Sequence, residues 1–541
     1  MNPDWQPRVL REVLAASVAA RGAHDALVTD SARLSWTELQ AKALEAARAL
    51  HALGVKPGDH IGILMGNNVA WVTLFFGAAM IGAVSVPVNT RFKASELAFC
   101  LKQADVSVLF MAERFLNIDF LAFLREVEPA VDHALPGRAL PLLRQVVVMG
   151  DAVPAGALAM GDFLALAARS DNAAFAAACA GVTTAAPLLM QFTSGTTAYP
   201  KGVLLTHHNM LRNAWSSGSR MGVTAYDRYF NCRPFYHVAG TTLSLLVALT
   251  FGATLVTLPT FEAGEALKLM DQERCTLTSG NDTLFQMMMS HADFDPAKLH
   301  LRGGWAAAGP ATMRRIIDLM GMRGVCAAYG LSECSPNVVI NDHRDAEELR
   351  VNGRALPHDG VFVRIADPLT NAPLAAGSQG EIQVRGWNVM QGYYKNDEAN
   401  ARVFTADGWL RTGDLGTLDG DGRMAMVGRL KDVFRVGGEN VAPAEVEEVL
   451  LGHAAVATAQ VVGVPDARLG EVPAAYVTLK AGMSAAEDEL IAWCKARCAN
   501  FRVPRYLRIV ADFEAIGMTG SGKVQKVKLR EHALRELGLS T

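Results

Sequence analysis

Short apolar runs alternate with helical patterns along most of this chain, and that alternation limits its fold more than any other feature. One helical pattern starts at a capping box on Ser35 and ends at Gly54, shortly before the first apolar run. Short apolar runs between helices are typical of buried strands. The sequence therefore predicts an α/β fold with largely parallel sheets. The predicted strands lie at 61–65, 107–111, 145–149, 254–258 and 324–328.

The pattern changes from about Gly353 onward. Short runs separated by Gly, Asp, Asn and Pro turns predict a small β-rich unit, and a mixed pattern follows beyond Gly428. We expect a large N-terminal domain of layered α/β subdomains over residues 1–430, with the β-rich subdomain at about 353–430, and a small α+β C-terminal domain over 431–541. The β-rich runs lie at 361–365, 380–385 and 423–427, and the C-terminal elements at 443–451, 457–464, 474–479 and 486–498.

Composition excludes several classes of protein. The 541 residues are 50% hydrophobic and 19% charged, which are globular values, and a formal net charge of −3 argues against a general binder of nucleic acid or anionic membranes. The eight cysteines lack the spacing of a disulfide framework or a zinc site, which favours a reducing cytoplasm. Charges near the N-terminus stand where a signal peptide would have its apolar core.

One apolar stretch, at 69–88, is long enough to be weighed as a membrane span. Gly77, Gly82 and Pro87 interrupt it. We therefore predict a buried helix that leads into a buried strand, and no integral membrane segment.

The segment TSGTTAYPKG at 193–202 combines glycines, hydroxyl side chains and a lysine directly after an apolar run. Glycine lets backbone N–H groups approach anionic oxygens, the hydroxyls add donors and Lys201 adds a positive charge, so the segment predicts polyphosphate binding. It is not the P-loop of NTPases, because Pro200 stands at the second glycine of that motif and Gly202 at its hydroxyl. A closer match at 517–523 ends too near the C-terminus for the sheet of that fold.

Six short segments occur in a fixed order along the chain. They are TSGTTAYPKG (193–202), AAAGP (306–310), AYGLSE (328–333), WLRTGD (409–414), GRLKDVFRVGGENVAPAEVE (428–447) and TGSGK (519–523). Together they resemble the adenylate-forming superfamily of acyl-CoA synthetases, aryl-CoA ligases, luciferases and peptide-synthetase adenylation domains. The resemblance covers almost the whole chain. It implies a nucleotide-binding N-terminal domain and a mobile C-terminal domain that swings about a hinge at Lys431.

The resemblance assigns nucleotide contacts to residue types whose chemistry suits them. Tyr329 would pack against adenine, and Asp414 would accept hydrogen bonds from the ribose hydroxyls with Arg429 beside it. Glu333 would hold Mg²⁺ together with Thr196, because this ion prefers carboxylate, hydroxyl and phosphate oxygens. The remaining ATP contacts would come from Thr193, Ser194, Gly195, Thr197, Lys201, Ala308, Gly309, Pro310, Gly330, Leu331 and Ser332.

The same resemblance assigns the chemical step to Lys523. Negative charge develops as a carboxylate attacks the α-phosphorus and pyrophosphate leaves, and a lysine delivered by the TGSGK segment would stabilise that charge. Gly437 and Gly438 would line a tunnel for the pantetheine arm of coenzyme A, where a side chain would obstruct the thiol. His237, in PFYHVAG, would gate the passage between the acid pocket and this tunnel.

Each of these residues also has a plainer interpretation when it is taken alone. Only the order of the motifs favours the functional one. The plainer roles are a core tyrosine for Tyr329, a surface charge for Glu333, a turn residue for Asp414, a solvated loop lysine for Lys523, a simple turn for Gly437 and Gly438, and a satisfied core histidine for His237.

Three departures from the superfamily pattern occur within the motifs. Ala198 replaces a glycine of the phosphate segment, which would strain the backbone if that position needs a positive φ. Ser332 replaces the commoner threonine, and Gly517 with Met518 replaces a proline and a basic residue. None of these changes removes an essential functional group.

The motif set predicts an AMP-forming acyl-CoA ligase whose substrates are a carboxylic acid, MgATP and coenzyme A. Three alternatives stay open: loading of a carrier protein, oxidation of the adenylate as in luciferases, and a nucleotide-sensing module without catalysis. The sequence also leaves open whether the chain works as a monomer or a homodimer.

The acid is the least determined part of the prediction, which covers medium-chain and long-chain fatty acids and aromatic acids. Candidate pocket residues lie at 236–241 and 334–338, and Trp305 would shorten or flatten the cavity, which favours a medium-chain or aromatic acid over a very long one. Asn281 and Asp282 either line the same pocket or cap the helix that follows.

Overall fold

Two large sheets form the frame of this protein. The computed structural model describes residues 5–193, 200–518 and 524–539. In spatial order, the first sheet contains Asn337–Ile340, Gly324–Gly330, Gly303–Ala307, Leu277–Asn281, Arg228–Asn231, Thr254–Thr257, Asp25–Val28 and Arg33–Ser35. The second contains Gly392–Tyr393, Lys201–Thr206, Pro187–Thr193, Val84–Pro87, His60–Leu64, Val106–Ala112, Gln145–Met149 and Leu158–Ala159.

Six neighbouring strands of each sheet run parallel, and the antiparallel strands lie at the edges. This confirms the predicted α/β class. The helices that cover these sheets are Leu10–Arg21, Trp36–Ala52, Val69–Met80, Ala94–Gln103, Phe120–Val127, Met160–Ala165, Asn172–Ala180, His207–Arg220, Val238–Gly240, Val247–Phe251, Ala263–Gln272, Asp282–Met289, Pro310–Met320, Glu347–Val351 and Asp397–Val403. Shorter 3₁₀ segments are Pro129–Asp132, Leu166–Arg169, Pro296–Lys298, Ser332–Cys334, Leu430–Asp432 and Asn500–Arg502, and Thr241–Leu246 is a π-helix.

Local sequence signals explain where several of these elements begin. The backbone N–H of Glu38 donates to the Ser35 hydroxyl at 3.2 Å, and the Glu38 carboxylate accepts from the N–H of Ser35 at 2.8 Å, so the predicted capping box is present. Helix Val69–Met80 is buried on nearly all sides and leads into strand Val84–Pro87, as predicted. Within the described ranges, no helix is both long and apolar enough to cross a membrane.

A four-stranded antiparallel sheet follows the two large ones. Its strands, in spatial order, are Val361–Ala366, Gln379–Gly386, Leu410–Leu418 and Met424–Arg429. Sequence patterns predicted three of these and missed Leu410–Leu418. Its sequence, LRTGDLGTL, carries two glycines and no alternation of apolar and polar residues, so nothing local marks it as a strand.

The C-terminal part has a sheet and an apolar core of its own. Strands Glu439–Val441, Phe434–Val436, Gly470–Leu479 and Val456–Asp466 pair in that order, and Tyr506–Ile509 adds to Gly470–Leu479 in parallel. Its helices are Pro443–Leu451, Glu487–Lys495 and Lys526–Glu536. The buried members of this core all come from residues 434–533. A large N-terminal part and a small α+β C-terminal part are therefore present, and the boundary at 430 stays a prediction.

Candidate functional site

A buried carboxylate links the large sheet to the β-rich sheet. Tyr329, near the end of strand Gly324–Gly330, donates its hydroxyl hydrogen to Asp414 at 2.9 Å, and Arg429 Nε lies 3.5 Å from the other Asp414 oxygen. Asp414 is only 7% exposed, and Arg429 is its partner in the strand register. Burial and the Asp414 carboxylate raise the pKa of the Tyr329 hydroxyl. Three predicted nucleotide residues thus form one hydrogen-bonded and ionic cluster.

A second carboxylate lies beside the ends of the phosphate segment. Tyr393 donates its hydroxyl hydrogen to Glu333 at 2.7 Å, and the ammonium of Lys201 lies 4.9 Å from the centre of the Tyr393 ring. Burial, followed by the Glu333 carboxylate, raises the pKa of Tyr393. Tyr393 was not predicted, because it is 60 positions from Glu333 and sits in no motif. Its position at the edge of the second sheet connects the two predicted residues.

The carboxylate of Glu333 fits one part of a magnesium site. In the part of the chain that the structure describes, no group of three or more His, Cys, Asp or Glu side chains could hold a metal ion. A cation next to Glu333 would therefore need oxygen ligands from a substrate phosphate and from the phosphate segment. This donor set suits Mg²⁺, which is usually bound by one or two carboxylates plus phosphates.

The phosphate segment closes an antiparallel pair of strands. Thr193 and Lys201 face each other at the ends of Pro187–Thr193 and Lys201–Thr206. The residues between these ends that were predicted to bind phosphate or magnesium lie outside the described residues, so their roles stay predictions. They are Ser194, Gly195, Thr196 and Thr197, and the same holds for Ala198.

The turn after Tyr329 has a firm requirement for glycine. A Cβ on Gly330 would lie 2.0 Å from the carbonyl oxygen of Pro336, which in turn accepts a hydrogen bond from the Leu331 N–H at 2.8 Å. The buried amide of Asn213 donates to the carbonyl oxygens of Cys334 and Asn337, at 3.2 and 2.8 Å. These contacts fix the backbone that carries Leu331, Ser332 and Glu333.

Two carboxylates meet the start of helix Pro310–Met320. The N–H of Gly309 donates to Asp282 at 3.3 Å, and the N–H of Ala311 donates to Glu448 at 3.0 Å. Burial raises the pKa of Asp282 to about 6, with Glu448 and Glu447 adding to that shift, and burial also raises the pKa of Glu448. Ala308, Gly309 and Pro310 therefore lie beside a side chain from the C-terminal part.

Asn281 and His237 both have capping roles. The Asn281 side chain accepts from the N–H of Leu284 at 3.0 Å, which confirms the capping interpretation for this residue, whereas Asp282 reaches across to Gly309. His237 Nδ1 accepts from the N–H of Ala239 at 3.2 Å. A neutral imidazole in this arrangement carries its proton on Nε2. The gating role of His237 stays a prediction.

Lys523 lies outside the described residues, but the residues that flank its segment do not. Met518 and Val524 form an antiparallel bridge and line a cavity of about 100 Å³ together with Asp282, Thr283 and Gln286. Met518 and Val524 therefore face the helix that follows strand Leu277–Asn281.

The predicted hinge and tunnel residues lie in short turns. Lys431 belongs to the 3₁₀ segment Leu430–Asp432, and burial lowers the pKa of its ammonium. Gly437 and Gly438 have φ of +60° and +96° and join two antiparallel strands, which is the simple turn considered from the sequence. A Cβ on Gly438 would meet nothing within 4 Å. Their roles as hinge and tunnel stay predictions.

The chain matches two known family models, one after the other along its sequence. Residues 14–394 match the AMP-binding enzyme model, and residues 445–523 match the AMP-binding enzyme C-terminal domain. The first of these covers more than half of the chain.

Individual relatives are similar over nearly their whole length. The 3-[(3aS,4S,7aS)-7a-methyl-1,5-dioxo-octahydro-1H-inden-4-yl]propanoyl:CoA ligase of Rhodococcus jostii is 38% identical over 533 residues, which cover 97% of this chain and 99% of the relative. The mitochondrial medium-chain acyl-CoA ligase ACSF2 of Mus musculus is 34% identical over 529 residues, covering 95% and 85%. The crystal structure of the anthranilate CoA ligase AuaEII with anthranoyl-AMP has a TM-score of 0.87 at 25% identity, covering 98% of each chain.

Proposed function

This chain belongs to the AMP-binding enzyme family and is an AMP-forming acyl-CoA ligase, and we propose that the clusters around Asp414 and Glu333 hold its nucleotide and metal. The observation that carries this proposal is the nearly buried Asp414 carboxylate between Tyr329 and Arg429. A buried carboxylate with fixed donors is a pre-organised acceptor for ribose hydroxyls.

The reaction has two steps. An oxygen of the acid attacks the α-phosphorus of ATP, the bond to pyrophosphate breaks, and an acyl-adenylate forms. The thiol of coenzyme A then loses its proton and attacks the acyl carbon, and AMP leaves. We assign stabilisation of the first transition state to Lys523, with Lys201 and Thr193 to Thr197 around the phosphates. Mg²⁺, held by Glu333 and Thr196, would neutralise charge on the phosphate oxygens.

The adenine and ribose contacts form the second part of the proposal. Tyr329 and the turn after it would cover the adenine, and Asp414 with Arg429 would fix the ribose. The steric demand at Gly330 supports this, because a turn held so tightly keeps its N–H groups in one place. The further contacts in this group are Ala308, Gly309, Pro310, Leu331 and Ser332.

The C-terminal unit, residues 431–541, would rotate between the two steps about Lys431. Its separate apolar core and the small cavity against helix Asp282–Met289 support this division, with 1–430 as the larger body and 353–430 as its β-rich subdomain. After rotation, Gly437 and Gly438 would face the pantetheine arm, and His237 would separate it from the acid pocket.

We propose a medium-chain or compact ring-bearing acid as the substrate. The names of the relatives point to such acids, since one is a medium-chain ligase and another acts on a bicyclic propanoate. Trp305 is only 4% exposed, and its bulk would shorten an acid pocket at this position. Free coenzyme A is the proposed acceptor rather than a carrier protein.

We propose the cytoplasm as the working compartment. All eight cysteines are free thiols, seven of them buried, and this state persists in a reducing environment.

The test is a panel of carboxylic acids with MgATP, scored for AMP and thioester. We expect both products in equal amounts with medium-chain and ring-bearing acids. Adenylate formation without transfer to coenzyme A would instead favour a carrier protein as the acceptor, and competition between coenzyme A and candidate carriers would decide it.

A further inference from the structure

Four buried polar groups that make no hydrogen bond of good geometry cluster beside the first sheet. They are the hydroxyls of Tyr229, Ser244 and Ser279 and the indole N–H of Trp305, and this holds within the described residues. Ser279, Ser244 and Trp305 lie close enough to the Tyr229 hydroxyl for hydrogen bonding to oppose the rise in its pKa that burial causes. Most buried polar atoms in proteins form well-directed hydrogen bonds, so four that interact only poorly with one another at one place need an explanation.

Strand register brings this cluster to one face of the first sheet. Ser279 lies directly beside Trp305 on the neighbouring strand, and Tyr229 lies beside Leu277, two residues before Ser279. Because alternate residues of a strand share a face, these side chains point the same way. Ser244 comes from the π-helix Thr241–Leu246, and such segments are rare and often occur at functional sites.

A buried arginine stands next to the cluster, and the described part of the chain offers it no counter-charge. Arg233 is 6% exposed, its guanidinium carbon lies 4.7 Å from the centre of the Trp305 ring, and its Nε has no partner in the described chain. Burial lowers the pKa of Arg233, and the ionisable groups that oppose this are Cys232 and Tyr229. Burial raises the pKa of both, to about 11 for Cys232, so neither is an anion at neutral pH.

An unpaired buried guanidinium is costly. Leaving one buried charge without its partner strongly destabilises a protein. If this region were only core, apolar side chains of similar size would fill it better. Arg233 also opens the segment 233–237 that ends at His237, at the carboxyl end of strand Arg228–Asn231, where ligands bind in open α/β sheets. The position therefore points to a ligand that supplies the missing acceptor.

We propose that the acid activated by this ligase carries a second oxygen acceptor, a ketone or a carboxylate, at the end remote from the reacting carboxylate. Arg233 donates a hydrogen bond to that oxygen. The hydroxyls of Tyr229 and Ser279 and the Trp305 N–H are the further donors around it. This inference rests on the proposed function, because it names the acid of the same site. It explains why buried polar groups surround Trp305.

The test compares three acids of equal chain length: octanoate, 7-oxooctanoate and octanedioate. The measured quantity is kcat/KM for thioester formation with saturating MgATP and coenzyme A. We expect at least one oxygenated acid to exceed octanoate by about tenfold or more, because a site built for a polar group discriminates strongly against its absence. The preferred acid identifies the oxygen as a ketone or a carboxylate.

Two variants connect that preference to the cluster. Arg233→Met is expected to remove most of the preference, and Tyr229→Phe, which loses one hydroxyl and keeps the ring, to reduce it about threefold to tenfold. The Phe variant keeps the proposal testable if the Met variant does not fold. Preference for octanoate in the unaltered enzyme, or an unchanged preference in the folded variants, would overturn the inference. Absence of thioester with all three acids and the wider panel would instead count against the proposed function.

Discussion

The carboxylate of Glu448 accepts a hydrogen bond from the backbone N–H of Ala311 at 3.0 Å, although the two residues are 137 positions apart. Glu448 belongs to helix Pro443–Leu451 of the C-terminal part, and Ala311 lies in the first turn of helix Pro310–Met320. A negative side chain at a helix N-terminus is favourable because unpaired N–H groups point toward it. One side chain thus connects the C-terminal unit to the segment proposed to contact the nucleotide.

Removing this contact is expected to slow adenylation. Glu448→Ala should lower the rate of pyrophosphate release about threefold to tenfold, because loss of a helix cap costs about 1 kcal/mol and the arrangement seen here becomes less populated. Glu448→Gln keeps an acceptor oxygen and is the matched control, with a smaller loss. We expect the contact to matter only for the step catalysed with the C-terminal part placed against helix Pro310–Met320. An equal loss in thioester formation from supplied acyl-adenylate would contradict this.

Asp282 is expected to make stability depend on pH. Its pKa is raised to about 6, so the folded protein binds this proton more tightly than the unfolded chain does. The contribution of Asp282 to the free energy of unfolding is therefore fully present below about pH 4. It falls as the pH rises to about 6 and is constant above that. Asp282→Asn should become progressively more stable relative to the unaltered protein between pH 4 and 6, as measured by urea denaturation. Asp30→Asn, at an exposed position, is the matched control.

Lys523→Ala should separate the two half-reactions. We expect adenylation to fall by about a hundredfold or more, as for loss of one transition-state donor, while thioester formation from supplied acyl-adenylate is largely retained. Single-turnover assays of each half-reaction measure this. Equal losses in both would argue against the assigned role.

Gly438→Leu should give the reverse pattern, with adenylation retained and transfer to coenzyme A reduced about a hundredfold. Because Gly438 has a φ of +96°, any side chain also strains its turn. Gly438→Ala carries that strain with little bulk and is the control. If the Ala variant loses as much transfer activity as the Leu variant, strain rather than obstruction is responsible.

Two tyrosine variants should affect different ligands. Tyr329→Phe removes a donor to the buried Asp414 and is expected to raise the KM for ATP about tenfold. Tyr393→Phe removes the donor to Glu333 and should instead raise the Mg²⁺ concentration needed for half-maximal rate. Steady-state titrations of ATP and Mg²⁺ compare them. Identical effects of both variants on the two titrations would count against separate nucleotide and metal clusters.

Much of the fold could be predicted because buried strands and capped helices leave local signals. The run at 145–149 coincides with strand Gln145–Met149, and the capping box at Ser35 marks a real helix start. Leu410–Leu418 was missed because its glycines hide the strand pattern. It is nevertheless the strand that carries Asp414. The WLRTGD motif therefore identified this residue, although the apolar pattern did not predict its strand.

The contacts between distant segments could not be predicted in the same way. Nothing near Tyr393 indicates a bond to Glu333, and nothing near Glu448 indicates Ala311, since both depend on how separate elements pack. Arg233 and Tyr229 stand in a stretch of mixed polar and aromatic residues, YDRYFNCRPFYH at 226–237, which carries no local signal for a buried polar cluster. That Arg233 has no counter-charge among the described residues becomes visible only in the folded chain.

The separate apolar core of residues 434–533 has a thermodynamic consequence. A rotation of the C-terminal unit would leave both hydrophobic interiors closed and would exchange only surface contacts, such as the hydrogen bond of Glu448. Heat-capacity changes in proteins follow the apolar surface that is exposed. The balance between the two arrangements should therefore vary only weakly with temperature, while the stability of each unit follows the usual curved dependence.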